Sequence, residues 1–584
     1  MNKNIRFWIC VTICWIVASC ANHHYPESTG IWEVPGTLQP EQVLANGKLL
    51  QRLHSNFNRM ETEHYQPGHV FLSEEESGGW SGDTEGRTIL ALVMDSRATG
   101  RQPRYLDGIL ERLPKELNER GYLGPDFFPD VSEQQLGGNC WLLNALSEHY
   151  SWKGDSTSLA LLRSIIDGLY IPAKDYFARY PTDPNLRDTG GAAGTILATH
   201  DGWMLSSDVG AGLACLDGMV QAYDILRLPA LKESIDACIE AFRAIDPVEI
   251  KAHTHPYTLI MLGLLRYSDI TGDPSLVEWT ERLWDIYLEA GMSENFACYN
   301  WLGRYDTWTE PCAITDAFIV ASELWRHTGK VRYRDVAEQI WFNALSYSQF
   351  NNGGFGLQNC PGDASGTPFL RPVTDEAWWC CTMRGAEGLA RVSQYTWFTR
   401  GDDLFIGTLR PSAVILGTPE SGKLTVDIGT GYPASGNAVI RLTGDSFRKV
   451  RLHIPAPKWT SSHVIRVNGK RVRPAHEDGF LVTGELGAGD VLEYSFRLKT
   501  WYDGPQTVSN NPEGTFRVFH GPVLLCSDED ISFPRGSRLE PAGNGAFRVK
   551  GTDIRLHTLS NFLDPDFNTA QASTCQRKIL FTGP

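Results

Sequence analysis

Two short stretches hold the residue types that bind soft metals or act as nucleophiles. Glu310-Pro311-Cys312 sets a carboxylate and a thiol two positions apart, at the mouth of an apolar run through Ala313, Phe318, Ile319 and Leu324. Proline in the first turn is a helix-start signal. Trp378-Trp379-Cys380-Cys381-Thr382 brings two adjacent thiols, and Gly385-Ala386-Glu387-Gly388-Leu389-Ala390 reads as the helix that follows them. Both thiols then sit near a helix N-terminus, where the dipole and the free N–H groups favour thiolate. Adjacent cysteines rarely bridge each other without strain. Glu310, Cys312, Cys380 and Cys381 together make a complete tetrahedral donor set for Zn2+. Their spacing is not that of a zinc ribbon, and unrelated buried cysteines account for the residue types equally well.

Helices must position these residues. Apolar residues recur at helical spacing in Leu106, Ile109, Leu110, Leu113 and Leu117, in Leu159, Leu162, Ile166 and Leu169, and in Leu276, Trp279, Leu283 and Ile286. A turn signature separates such faces: Thr99-Gly100, Thr271-Gly272 and Thr328-Gly329 each precede a new amphipathic run, with looser echoes at Gly154 and Arg227. The spacing of about 45 to 75 residues is that of a repeating helical hairpin, and roughly six fit between Gly86 and Arg400. Closed into a ring they make an (α/α)6 toroid with a cleft at one end; left open they make a solenoid. After Gly401 the period becomes two, in Leu424, Val426 and Ile428 and again in Val450, Leu452 and Ile454, with Asn468-Gly469 as a hairpin turn. The pattern predicts an antiparallel β-sandwich over 401–530 and a C-terminal segment, 531–584, packed on it. The toroid and its N-terminal lead-in take 20–400.

Residues 1–19 read as a secretory signal, because Lys3 and Arg6 precede an apolar run, Phe7 to Ala18, too short to span a bilayer. Val17-Ala18-Ser19-Cys20 resembles a bacterial lipobox, which makes Cys20 the expected lipidated N-terminus. The chain is then an exported lipoprotein, touching the membrane only through its lipid and expected to face the periplasm. Ten of the 13 cysteines lie beyond Cys20, too few for a disulfide scaffold, so free buried thiols with at most one or two bridges are expected. A net charge of -16 with no basic run argues against nucleic acid and against anionic membrane surfaces as partners.

The Glu310-Pro311-Cys312 segment and Trp379-Cys380-Cys381-Thr382-Met383-Arg384-Gly385-Ala386-Glu387 resemble the signature segments of glycoside hydrolase family 127 and its near relatives. The likeness extends to Gly79-Trp80-Ser81-Gly82-Asp83-Thr84-Glu85-Gly86-Arg87, to His253 with Thr271-Gly272-Asp273, and to Ser293-Glu294-Asn295-Phe296. The resemblance implies an (α/α)6 barrel with β-sandwich domains and a retaining β-L-arabinofuranosidase or related activity on oligosaccharides. It implies zinc held by Glu310, Cys312, Cys380 and Cys381, Cys380 as nucleophile, Glu294 as acid/base, and His253 as a substrate contact. His255, Trp80 and His200 are further candidates for the sugar site. Relatives also act on other L-configured pectic furanosides, including aceric acid, so the sugar stays open. A polysaccharide lyase shares this architecture, and a glycan-binding lipoprotein with structural zinc shares the metal site. A lyase needs a Tyr or His base with a charge neutraliser, not a cysteine-rich cluster.

Overall fold

The computed structural model describes residues 32–187, 193–361, 367–374, 376–418, 421–506, 511, 513–543, 545–560 and 576–583. The proposed signal and Cys20 lie outside the described residues. Among those described, no helix is long and apolar enough to cross a membrane.

Six helices buried on nearly every side form an inner ring: Asp83–Thr99, Glu133–Lys153, Leu216–Leu226, Thr254–Thr271, Pro311–Thr328 and Cys381–Gln394. Each packs on the next, and the sixth packs back on the first, so the repeat closes into a toroid instead of running on as a solenoid. The one-sided helices lie outside, among them Leu106–Glu116, with Leu106, Ile109 and Leu113 buried, and Pro274–Ala290, with Leu276 and Leu283 buried. The repeated Thr-Gly signature ends three inner helices, where Gly100, Gly272 and Gly329 take φ of 70°, 73° and 68°. Close approach matters at Gly86: a Cβ there would stand 2.4 Å from the Leu142 backbone nitrogen, so the first two inner helices touch through backbone.

The period-two segments form the sheets expected of them. In Leu424–Thr430 the residues Leu424, Val426 and Ile428 are buried, paired antiparallel to Asn437–Gly444 on one side and Ser412–Leu416 on the other. Asn468 and Gly469, with φ of 50° and 76°, turn the hairpin between Thr460–Val467 and Lys470–Val472. His453 departs from the alternation: it is buried, because a register shift between Arg451 and His453 turns it inward onto the Phe405 ring. Two further features escape the period. Strands Gly36–Thr37 and Val43–Ala45 from the N-terminal lead-in join the two sandwich sheets. Residues from Thr500 to Thr558 build a third six-stranded sheet, which shares a small core of its own with Phe533 and Phe581.

Toroid and sandwich meet at Glu338, on helix Val331–Ile340, which accepts a hydrogen bond from the Tyr432 hydroxyl. Burial lifts its carboxyl from 4.5 to about 7. A carboxyl raised on folding stabilises fully below its unfolded value, and that contribution is lost as pH rises through the folded one. The loss between pH 4.5 and 7 amounts to at most about 3 kcal/mol. Glu338→Gln keeps the acceptor and removes the titration, so its Tm relative to the parent should be higher at pH 8 than at pH 5. Equal differences at the two pH values would refute this account of the interface.

Candidate active site

Helix starts build the site. Glu310 is the N-cap of Pro311–Thr328 and Cys312 lies in its first turn; Cys380 is the N-cap of Cys381–Gln394 and Cys381 its first residue. His253 is the N-cap of Thr254–Thr271, with His255 one step inside, and Asp83 opens the first inner helix with Arg87 one turn on. Four helix N-termini thus face one cavity of about 490 Å³ at the end of the toroid, giving it a positive bias.

The four sequence-predicted metal ligands converge on its wall, with one donor atom from each lying within 4.8 Å of all the others. Cys312 Sγ is 3.2 Å from Cys380 Sγ and 3.7 Å from Cys381 Sγ, and Cys380 Sγ is 3.7 Å from Glu310 Oε1. A tetrahedral zinc site with Zn–S bonds of about 2.3 Å has S–S edges of about 3.8 Å. The donor set therefore fits zinc in chemistry and in size. Beyond the ligands, His253 Nε2 lies 3.1 Å from Glu310 Oε2 and His255 Nδ1 3.5 Å from Oε1, while His255 Nε2 lies 3.3 Å from Asp316. Such outer contacts orient a ligating carboxylate.

Charge in the cavity is uneven. The Cys312 and Cys381 sulfhydryls donate toward Cys380 and, with Arg87, pull its thiol well below the ordinary range against the opposing effect of burial. Burial pushes Cys312 and Cys381 up. Burial also works against a charged His253, yet Asp208 and Glu310 outweigh it and lift the imidazole to about 9. His255 goes the other way, lowered by burial and by Arg87 and Arg384, so it stays neutral. Burial raises Asp83 to about 6 despite its 2.7 Å ion pair with Arg87.

Arg87, part of the family-like stretch Gly79 to Arg87 but without a role assigned from sequence, belongs to the site. Its guanidinium donates to Cys312 Sγ at 3.5 Å and lies 4.1 Å from the centre of the Trp141 ring, which His255 stacks from 5.6 Å. An i,i+4 carboxylate–arginine pair at a helix start was the available signal. Asp208, Asn300 and Trp308 also line the cavity, from loops that carry no motif.

Trp80, His253 and His255 line the cavity as expected. His200 does not: it stands on Ile196–His200, the exposed edge strand of a three-stranded sheet, 3.3 Å from Asp201. Glu294 is wholly buried but is not among the lining residues. It sits in the turn after Pro274–Ala290 and accepts from the Gln506 backbone at 2.6 Å and from Asn511 Nδ2 at 2.8 Å. Arg517 donates to its carbonyl at 2.9 Å, so the third sheet holds this turn in place. Cys298, from the same turn, lies 3.5 Å from the Glu310 backbone nitrogen and ties the turn to the metal-ligand wall. The nine described cysteines are all free thiols, with Cys380 the only one not fully buried.

A closed helical toroid with a cleft of thiols, carboxylates and tryptophans, continued by largely antiparallel sheets, suits a carbohydrate-active enzyme, and the sequence matches single out a glycoside hydrolase. Residues 229–394 match the β-L-arabinofuranosidase GH127 catalytic domain and residues 412–498 the GH127 middle domain. Together these two segments make up less than half of the chain, and over them it is similar to glycoside hydrolase family 127. Its fold is similar to that of a GH127 β-arabinofuranosidase at 13% identity and a TM-score of 0.66, covering 94% of this chain and 98% of the other. A second glycoside hydrolase gives 15% identity and 0.67 over 94% and 98% of the two chains. A GH127 β-L-arabinofuranosidase from Geobacillus stearothermophilus T6 gives 13% and 0.64 over 93% and 100%. No curated protein matches the chain.

Proposed function

We propose that the protein is a retaining, exo-acting glycosidase that releases an L-configured furanosyl residue, β-L-arabinofuranose or a related pectic sugar such as aceric acid, from an oligosaccharide. The observation that carries this reading is the meeting of Glu310, Cys312, Cys380 and Cys381 on the wall of a cavity of sugar size. A zinc ion held by these four would keep the thiols deprotonated and their directions fixed. Cys380, the one described cysteine that is not fully buried, then attacks the anomeric carbon and expels the aglycone oxygen, which Glu294 protonates. In the second step Glu294 takes a proton from water, the water oxygen attacks the same carbon, and the Cys380 sulfur leaves. The two displacements retain configuration. His253, charged and anchored on Glu310, donates to a sugar hydroxyl, and Trp80 covers the ring.

The lipobox-like Cys20 supports placement of this activity on a bacterial membrane, on its periplasmic side, where plant polysaccharide fragments arrive. Purified protein should hold one zinc per chain and, with p-nitrophenyl β-L-arabinofuranoside in aqueous methanol, give methyl β-L-arabinofuranoside by NMR. Formation of the methyl α-glycoside would overturn the retaining step. Failure of the zinc-loaded protein to cleave any L-configured furanoside would overturn the substrate class.

A further inference from the structure

We infer that Trp379 forms an aglycone platform, a binding site for the second sugar ring of the substrate at the mouth of the cleft. The inference rests on the glycosidase reading above and deepens it. Among the described residues Trp379 is the one tryptophan that ranks with the exposed large apolar side chains, at 47% exposure, and it lines the cavity immediately before Cys380. Isolated exposed apolar residues are ordinary; grouped ones are informative. Two more of these side chains belong to segments that touch the cavity's lining. Val373 donates its backbone N–H to Leu357, a lining residue, at 2.8 Å. Ile196 packs on Gly79, beside Trp80: a Cβ at Gly79 would come within 2.9 Å of its Cδ1.

The segment that carries the platform is anchored. Trp379 stands at 89° to Trp378, 5.8 Å between ring centres, and Trp378 is stacked on His64 at 4.5 Å. The Tyr65 hydroxyl donates to the Trp378 carbonyl at 2.8 Å, and Glu376, just before, is held by Arg59 and Thr382, each at 2.8 Å. A flat aromatic face carried at the mouth by an anchored segment suits the C–H face of a sugar ring. An aglycone that extends from a furanosyl unit in the cavity toward solvent has the half-exposed ring of Trp379 to meet it on the lining. The ligand is therefore an oligosaccharide of at least two rings, and the small glycone alone uses only the inner cavity.

Binding separates the two ideas without relying on turnover. The probes are an S-linked β-L-arabinofuranosyl disaccharide, which resists cleavage, and methyl 1-thio-β-L-arabinofuranoside, titrated by calorimetry into the zinc-loaded protein. The parent should bind the disaccharide about tenfold more tightly than the methyl compound. Trp379→Ala should reduce that ratio to within twofold, and Trp379→Phe should restore most of it. A ratio unaltered in Trp379→Ala, or a parent that binds both alike, overturns the platform and leaves the glycosidase reading standing. A parent that binds neither compound defeats the substrate reading and the platform with it.

Discussion

Cys380→Ala should lower kcat/KM on a β-L-arabinofuranoside by at least about 10⁴-fold, the order seen when a covalent nucleophile is removed. Three sulfurs share the cluster, and zinc would hold all three as thiolates, but only this one is not fully buried. Cys312 and Cys381 are at most 1% exposed, and burial pushes both thiols up. Cys380 borders the cavity, caps a helix N-terminus and receives its neighbours' sulfhydryl donors and the influence of Arg87. A thiolate is the attacking form, so the thiolate that a substrate can reach is the one equipped to act. Metal content distinguishes attack from mere ligation. Cys312→Ala should lose zinc and activity together, because it removes a donor at the centre of the cluster. Cys380→Ser, which retains an oxygen donor, should lose activity far beyond its loss of zinc. A Cys380→Ser enzyme with more than a tenth of parental turnover would remove the nucleophile from this scheme.

Much of this arrangement was legible because it is written at helix starts. Pro311 marks the beginning of one helix, so Glu310 and Cys312 had to share its N-terminal end, and the glycine-rich run after Cys381 did the same for the thiol pair. The Thr-Gly signature located the helix ends, and the count of hairpins anticipated a ring; closure itself depends on the contact of Cys381–Gln394 with Asp83–Thr99, which no local pattern encodes. Loop residues were not legible for the same reason. Asp208 and Asn300 reach the cavity from segments without periodicity, and only the three-dimensional meeting of helix ends gives them a role. His200 illustrates the converse error. A polar, glycine-rich stretch is as typical of an exposed edge strand as of a cleft wall, and here it is the strand. Likewise the short lead-in strands at Gly36 and Val43 are too brief to show a period, yet they stitch the chain's beginning to sheets formed more than three hundred and fifty residues later.

Glu294→Gln should cost about 10² to 10⁴ in kcat on an alkyl or sugar leaving group, the range for loss of a general acid. The cost should shrink on a p-nitrophenyl leaving group, which departs without a proton, until hydrolysis of the glycosyl-enzyme limits the rate. This carboxyl faces competition. Asp83 and Asp208 line the cavity directly, whereas Glu294 lies behind it, fixed by Gln506 and Asn511. Asp83 is engaged by Arg87, and Asp208 accepts the Gly194 N–H at 2.9 Å, so neither is free of a donor. Glu294 differs from both in riding on a turn that Cys298 ties to the Glu310 backbone, which couples its position to that of the Glu310–cysteine cluster. The leaving-group dependence is therefore the deciding measurement. Only the true acid gives a variant whose defect scales with the basicity of the departing oxygen. If that dependence appears in Asp208→Asn or Asp83→Asn and is missing from Glu294→Gln, the acid/base is a cavity aspartate, and Glu294 serves to join the third sheet to the toroid.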